Sequence, residues 1–395
     1  MISYGRQLVD EEDIAAVVAV LQSDWLTQGP AVPRFERAVA QYCQVAHAVA
    51  VGNGTMALHL GCLAAGIGPG DLVWTSPNTF VASANCARYC GAAVDFVDID
   101  AQTLNLCPQK LADKLVAARR AERLPKLVIP VHFAGRSCDM EAIAGLGREF
   151  GFRVMEDASH ALGARYRDTR VGSGRYADLT TLSFHAVKLI TSAEGGMLTT
   201  NDPELAERLA LLRTHGITRD PQHMTAASDG PWYYEQVELG FNYRLTDLQA
   251  ALGESQMRRL PEFLDRRRQL VRRYRELLAD FPLTLPAADA DADSAWHLFV
   301  VRVAAAQRRR VFESMRAAGI GVNVHYIPVH LQPDYRQLGF APGQFPEAER
   351  YYQEALTLPL HAALTDEQQD QVVAALARAL AETPAPARDL ARDLK

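Results

Sequence analysis

The sequence contains no uninterrupted apolar run that approaches the roughly 20 residues needed to cross a bilayer. Its six cysteines include no C-x-x-C pair, which favours reduced, buried thiols over disulfides or a metal site. Basic residues are outnumbered, 41 against 47 acidic ones, and the net charge of −6 argues against nucleic-acid binding. The first residues lack a basic stretch followed by an apolar one, so neither secretion nor organelle import is indicated. We therefore expect a cytoplasmic protein without membrane, nucleic-acid or metal partners.

Short β-rich runs alternate with helical ones between about residues 49 and 200. This alternation is typical of an α/β fold with a mostly parallel sheet covered by helices. The predicted strands are 48–51, 72–75, 93–98, 127–133, 153–157, 179–184 and 196–200. The predicted helices between them are 55–65, 80–90, 108–120 and 140–150.

The alternation ends after residue 202, and an arginine-rich helical stretch over 256–280 leads to a smaller α+β unit. In that unit the pattern predicts a strand at 297–303, a helix at 305–318, an extended segment at 322–327 and a last helix at 366–381. The chain is accordingly divided into a large α/β domain (1–255), a connector helix with a small α+β domain (256–384), and a disordered tail (385–395).

One lysine, Lys188, stands between an apolar run and the paired glycines that end the stretch 183–196. A lysine in apolar surroundings loses the solvation that favours its ammonium form, so its pKa falls and the amine can form a Schiff base. A surface lysine at a strand end is the alternative interpretation.

Residues 49–55 run from a strand into a helix, which places the amides of Gly54 and Thr55 at a helix N-terminus. Such amides and the helix dipole favour a bound phosphate, and glycine allows close approach of the backbone. An ordinary Asn-Gly turn with Thr55 as the helix cap is the alternative.

Asp157 ends the predicted strand 153–157, and ligands of open α/β sheets bind at the carboxyl ends of strands. A buried carboxylate that faces a pyridine nitrogen keeps the ring protonated, as pyridoxal phosphate chemistry requires. Strand alternation turns the neighbouring Glu156 to the opposite face. A helix cap is the alternative role for Asp157.

Taken together, these segments resemble the DegT family of sugar-nucleotide aminotransferases, which are fold type I enzymes dependent on pyridoxal phosphate. The resemblance covers nearly the whole chain, with further matches at 25–30, 77–82 and 240–250. It implies a large, mostly parallel sheet domain with helices on both faces and a smaller C-terminal α+β domain. Relatives that act as ketoisomerases or dehydratases can carry histidine at the Schiff-base position, so Lys188 favours amino transfer.

The resemblance also implies a role for each site residue. Lys188 would hold pyridoxal 5'-phosphate and act as the general base, Asp157 would pair with the ring nitrogen, and His160 would reach the phenolic oxygen. The other expected cofactor contacts are Gly54, Thr55, Phe80, Ser183 and, from the neighbouring subunit of a homodimer with shared sites, Asn242. The expected substrate contacts are Tyr4, Trp25, Leu26, Thr27, Ser183, Asn242, His325 and Tyr326.

Within the family, the stretches 26–30, 157–160 and 183–196 look most like the members of pseudaminic acid biosynthesis. The implied reaction moves an amino group from L-glutamate to a UDP-linked 4-keto-6-deoxy sugar, UDP-2-acetamido-2,6-dideoxy-β-L-arabino-hex-4-ulose. Ala186 and Leu189 depart from this pattern, since prolines are expected there. An aminotransferase for a perosamine- or desosamine-type keto sugar is one alternative, and a non-catalytic regulatory protein on the same fold is another.

Overall fold

A seven-stranded sheet forms the centre of the larger part of the protein, for which a computed structural model describes residues 1–287 and 292–381. The predicted tail at 385–395 lies outside the described residues. In chain order the strands of this sheet are β1 (His47–Val51), β2 (Leu72–Thr75), β3 (Ala93–Phe96), β4 (Leu127–Ile129), β5 (Arg153–Asp157), β6 (Leu179–Ser183) and β7 (Gly196–Thr200).

Across the sheet the strand order is β1-β7-β6-β5-β4-β2-β3. Strand β7 is antiparallel to both of its neighbours, and the remaining pairs are parallel. The predicted mostly parallel sheet is thus confirmed. Strand β4 is shorter than the predicted 127–133, because Pro130 has no amide hydrogen to donate to the ladder.

The α-helices cover both faces of the sheet. In the described residues they are α1 (Glu11–Leu21), α2 (Ala31–Cys43), α3 (Gly54–Ala64), α4 (Ala82–Tyr89), α5 (Pro108–Arg120), α6 (Met140–Phe150), α7 (Pro203–Arg213), α8 (Asp247–Leu277), α9 (Ala305–Ala317), α10 (Pro333–Arg336), α11 (Pro346–Glu354) and α12 (Asp366–Ala381). Helices α3, α4 and α7 share a buried apolar core with one face of the sheet. Helices α2, α5, α6 and α8 pack against the other face.

The connector helix α8 begins earlier than the predicted residue 256. It starts after Thr246, whose side chain caps the amide of Gln249 while the Gln249 side chain accepts from the Thr246 amide. This reciprocal capping pattern is visible in the sequence and defines the helix start. The helix packs against α1 and α2 and also against α12. The division of the chain at residue 255 therefore lies within this helix and stays a prediction.

A smaller α+β unit follows α8, as predicted. Its strands Phe299–Arg302 and Ala355–Leu358 pair in antiparallel fashion, and Ile2–Ser3 from the start of the chain pairs in parallel with Ile320–Gly321. Helices α9 and α12 share its apolar core. Among the described helices, none has both the length and the apolar character of a membrane span.

Candidate active site

The carboxyl ends of β2, β4, β5 and β6 open onto a cavity of about 540 Å³, and the small unit forms its opposite wall. This edge is where parallel sheets bind ligands, because the loops after the strands diverge there. Ten residues predicted for the site line this one cavity: Tyr4, Gly54, Thr55, Phe80, Asp157, His160, Ser183, Lys188, His325 and Tyr326.

One corner of the cavity is the N-terminus of α3. Asn53 caps this helix by accepting from the Met56 amide at 2.9 Å, so the alternative in which Thr55 is the cap is wrong. The first amides of a helix have no partner inside it and can bind an anion. A side chain on Gly54 would crowd Ser183, with a Cβ only 3.1 Å from that of Ser183. The corner formed by Gly54, Thr55 and Ser183 therefore fits a phosphate group.

The loop that carries Lys188 joins β6 to β7. Its ends are held together by the Phe184 amide, which donates to the Gly195 carbonyl at 2.8 Å, and Leu189 and Ile190 anchor it in the core. Gly196 allows the backbone of β7 to approach the turn at Asn53 closely, because a Cβ at this position would collide with the Asn53 carbonyl group. The paired glycines thus bring the lysine loop and the phosphate corner together.

Burial lowers the pKa of Lys188 from 10.5 to about 8, although the Asp157 carboxylate acts in the opposite direction. Among the residues that the structure describes, none accepts a hydrogen bond from the Lys188 amine. The amine is thus available to react with a ligand in the cavity. Lys188 is half-buried and lines the cavity, so the alternative of a surface lysine at a strand end is wrong.

We expect the rate at which the apoprotein forms its Schiff base with pyridoxal phosphate to rise with pH up to about 8 and then to level off. Only the neutral amine attacks the aldehyde, and Lys188 is neutral above its pKa, which is lowered. Stopped-flow absorbance from pH 6 upward measures this rate. A rate that keeps rising toward 10.5, the ordinary pKa of lysine, would contradict the effect of burial.

Asp157, the last residue of β5, is 5% exposed and accepts hydrogen bonds from two serines. Ser83 donates its hydroxyl hydrogen at 2.6 Å, and Ser159 donates from its hydroxyl at 2.6 Å and from its amide at 3.1 Å. Glu156 bonds Thr180 on the other face of the sheet, as strand alternation predicts. No helix begins after β5 before α7, so the helix-cap alternative for Asp157 is wrong.

His160 lies beside Asp157 and is also buried. Its Nε2 is 3.2 Å from the Tyr326 hydroxyl, and its Nδ1 has no hydrogen-bond partner among the described residues. Burial and the Lys188 charge lower the pKa of His160 and lower that of His325 to about 4. Both rings are therefore neutral at physiological pH. His160 retains a buried ring nitrogen that a bound group can satisfy, as its predicted contact with a phenolic oxygen would require.

Four predicted residues lie on the surface outside the cavity: Trp25, Leu26, Thr27 and Asn242. Their two segments are tied together, because the Asp247 carboxylate accepts from the Gly29 and Ala31 amides at 2.7 Å each. The Asp247 amide also donates to the Leu26 carbonyl at 3.0 Å. These four residues do not line the cavity of their own chain, so their roles stay predictions that depend on a second copy.

The cavity also contains residues that the sequence analysis missed: Asn53, Thr79, Ser83, Ser159, His185, Glu194, His297 and Asn323. Thr79 stands in the matching stretch 77–82 that contains the predicted Phe80, and Ser83 directly follows that stretch, a signal that could have identified them. His297 gives no such signal, because it comes from the small unit and meets His160, with 4.4 Å between ring centroids, only through folding.

Residues 7–377 match the DegT/DnrJ/EryC1/StrS aminotransferase family. The chain belongs to this family. It is 40% identical over 380 residues to the spore coat polysaccharide biosynthesis protein SpsC of Bacillus subtilis, covering 94% of this chain and 95% of that protein. It is 37% identical over 385 residues to the GDP-perosamine synthase of Caulobacter vibrioides, covering 96% and 98%. The structure of Helicobacter pylori PseC, an aminotransferase involved in the biosynthesis of pseudoaminic acid, is similar with a TM-score of 0.88 at 30% identity, covering 96% and 99%.

The protein is therefore a sugar aminotransferase of fold type I that uses pyridoxal phosphate. The residues in the cavity fit this cofactor, since the helix corner suits its phosphate, Lys188 presents a reactive amine and Asp157 presents a buried carboxylate. The alternative of a non-catalytic regulatory protein is rejected.

Proposed function

We propose that the enzyme transfers the amino group of L-glutamate to C4 of UDP-2-acetamido-2,6-dideoxy-β-L-arabino-hex-4-ulose. The products are UDP-4-amino-4,6-dideoxy-N-acetyl-β-L-altrosamine, an intermediate of the pseudaminic acid pathway, and 2-oxoglutarate. The observation that carries this proposal is the similarity to Helicobacter pylori PseC over 96% of the chain. The two departures from the pattern of that subgroup, Ala186 and Leu189, do not line the cavity as the described residues form it, and Leu189 is buried in the core.

Pyridoxal phosphate, when bound, supplies the electron sink that stabilises negative charge on the carbon that loses its proton. In our proposal Gly54, Thr55 and Ser183 would bind its phosphate, and the Asp157 carboxylate would accept a hydrogen bond from its protonated ring nitrogen. Once the amine of glutamate has taken its place on the cofactor, the Lys188 amine would be free to take the proton from the glutamate α-carbon and to hold it for return. The same amine works in the reverse direction on the sugar, so one general base serves both halves of the reaction.

The sugar would lie between the sheet and the small unit, against an aromatic wall. Tyr4 and His325 have ring centroids 5.1 Å apart, and the Phe80 and Tyr326 rings are 6.2 Å apart across the cavity. Phe80 is 57% exposed, so its ring face is free to stack on the cofactor. Tyr326, Tyr4 and His325 present apolar ring surface with polar tips, a combination that suits a sugar or a uracil base.

The shared site of a homodimer is part of this proposal. Trp25, Leu26, Thr27 and Asn242 are exposed and lie on two segments that are bonded to each other. A second copy that presents this surface to the cavity would bring Asn242 to the phosphate corner. The exposure of Trp25 (55%) and Leu26 (47%) supports an interface there, because large apolar side chains are costly in water.

We expect an equal mixture of Lys188→Ala and Asn242→Asp subunits to recover about a quarter of the wild-type activity. Half of the dimers in an equal mixture are mixed, and each mixed dimer has one intact site of its two if Asn242 acts across the interface. A mixture of Lys188→Ala with Asp157→Asn is the matched control. Both of these residues line the cavity of the same chain, so no intact site can form. Absence of recovery in the first mixture would disprove a shared site.

A panel of keto sugars tests the substrate. Turnover with L-glutamate would be compared for UDP-, GDP- and dTDP-linked keto sugars, and the product stereochemistry would be determined by NMR. We expect the UDP-linked 4-keto-6-deoxy sugar to have the highest kcat/KM. A GDP-linked sugar of the perosamine type is the second candidate, favoured by the 37% identity to a GDP-perosamine synthase. Preference for the GDP-linked substrate would replace our proposal with that alternative.

A further inference from the structure

Both oxygen atoms of the buried Asp157 carboxylate are held by serine hydroxyl groups from two separate elements. Ser83 lies in the first turn of α4 and bonds Oδ2, whereas Ser159 follows β5 and bonds Oδ1, each at 2.6 Å. Ser83 is 1% exposed, Ser159 is half-buried, and both line the cavity. The carboxylate therefore accepts one hydroxyl hydrogen bond from helix α4 and one from the loop after β5.

The direction of each hydrogen bond follows from the number of hydrogens available. An ionised carboxylate only accepts, and a hydroxyl group has one hydrogen to donate. Ser83 therefore donates to Asp157, and the Thr79 hydroxyl, 2.7 Å from that of Ser83, must donate to Ser83. The Ser159 amide can only donate, and it points to Oδ1 at 3.1 Å. In this set of three residues, Thr79, Ser83 and Ser159, which we call the hydroxyl clamp, the two serines thus donate to the carboxylate and Thr79 donates to Ser83.

An aspartate carboxylate held by a single bond turns easily, because the energy well of its terminal torsion is broad. A partner on each oxygen removes this freedom and defines the plane of the carboxylate. Short bonds to an ionised acceptor are about twice as strong as neutral ones, so the clamp resists rotation more than ordinary hydroxyl contacts would. Among the described residues, no cationic side chain donates a hydrogen bond to the Asp157 carboxylate. The Asp157 carboxylate is therefore oriented by neutral donors, and its negative charge can still attract a hydrogen-bond donor of a ligand.

We propose that Ser83 and Ser159 are positioning residues that keep the Asp157 carboxylate in the plane where it meets the ring nitrogen of pyridoxal phosphate. This inference rests on the role proposed for Asp157. Neither serine need touch the reacting carbon, since each acts through the carboxylate. Their loss loosens the contact with the ring nitrogen and reduces its protonation while the phosphate corner and Lys188 stay intact.

The test measures the ring nitrogen directly. Holoenzymes of Ser83→Ala, Ser159→Ala and the double variant would be prepared with ¹⁵N-labelled pyridoxal phosphate, and the ¹⁵N shift would be recorded with kcat and KM. We expect the resonance to move toward the unprotonated ring and kcat to fall about 10–100-fold, the range found when a partner that orients a metal-binding side chain is lost. KM should change much less, because the substrate contacts are untouched. Ser159→Thr retains the hydroxyl and should restore both values.

Thr180→Val is the matched control. It also removes a buried hydroxyl bond to a carboxylate, but that carboxylate belongs to Glu156 on the opposite face of the sheet. Its ¹⁵N resonance should not move. An equal movement in this control would show that the serines act only through general packing, and would overturn the inference.

Asp157→Asn separates the inference from the proposal on which it rests. If this variant moves the resonance and the serine variants do not, the clamp has no positioning role and the proposed role of Asp157 stands. If Asp157→Asn leaves the resonance unmoved, the proposed contact with the ring nitrogen fails and the inference falls with it. Melting temperatures of all variants would be compared so that a loss of folding is recognised.

Discussion

Replacing Lys188 with alanine should abolish the Schiff-base absorbance of the purified enzyme and lower kcat by about 10⁴-fold or more. In our proposal the amine is both the covalent anchor of the cofactor and the general base at each proton transfer. Its removal therefore affects every step at once. The absorbance spectrum after incubation with pyridoxal phosphate and the turnover of the keto sugar are the two measurements.

Lys114→Ala is the control for the Lys188 variant. Burial also lowers the pKa of Lys114, but this lysine pairs with Asp95 at 2.7 Å on strand β3, outside the cavity. The Lys114 variant should retain the absorbance and most of the activity. An unchanged Schiff-base absorbance in Lys188→Ala would show that another lysine holds the cofactor, and the proposed assignment would be abandoned.

Replacing Asp157 with asparagine should leave the cofactor bound but lower kcat by about 10²–10⁴-fold, the range found when an isosteric amide replaces a functional carboxylate or a preorganised donor is lost. The neutral amide does not stabilise the positive charge of the protonated ring nitrogen. The ring therefore becomes a weaker electron sink. The Schiff base between the cofactor and Lys188 should persist. The Asp157 charge raises the pKa of Lys188, so its removal leaves the amine more readily neutral than before. Cofactor content and kcat would be measured on the same preparation.

Glu156→Gln is the control for Asp157→Asn. The two carboxylates are adjacent in β5 and similarly buried, but Glu156 contacts Thr180 and His132 on the face away from the cavity. Its variant should lose stability, because buried bonds are weakened, while kcat per folded molecule stays near the wild-type value. Near-normal turnover of Asp157→Asn would refute the role of this residue.

Local patterns predicted most of the secondary structure because the relevant signals lie close together in the chain. Strands β5 and β7 and helices α5, α6 and α12 have the predicted bounds. Two errors arose where a local signal was overlooked. Pro130 ends β4 early, and the capping pair Thr246 and Gln249 starts α8 well before the predicted residue.

The sequence by itself determined the family, the cofactor and the residues on the strand ends. Lys188, Asp157 and Gly54 each stand in a short stretch that predicts a role in the site, and a loop, a strand end and a helix N-terminus respectively position them locally. For this reason they could be identified before the fold was known.

Only the tertiary structure decided what surrounds these residues. Ser83 and Asp157 are 74 positions apart, and Tyr326 and His160 are 166 apart, so no local pattern joins either pair. They meet because parallel strands deliver their carboxyl ends to one edge and the small unit closes over that edge. The sequence had suggested that Trp25, Leu26, Thr27 and Asn242 belong to the site. In the folded chain they lie on the surface instead. Burial and long-range packing, which depend on the whole chain, set the pKa of Lys188 and the orientation of Asp157.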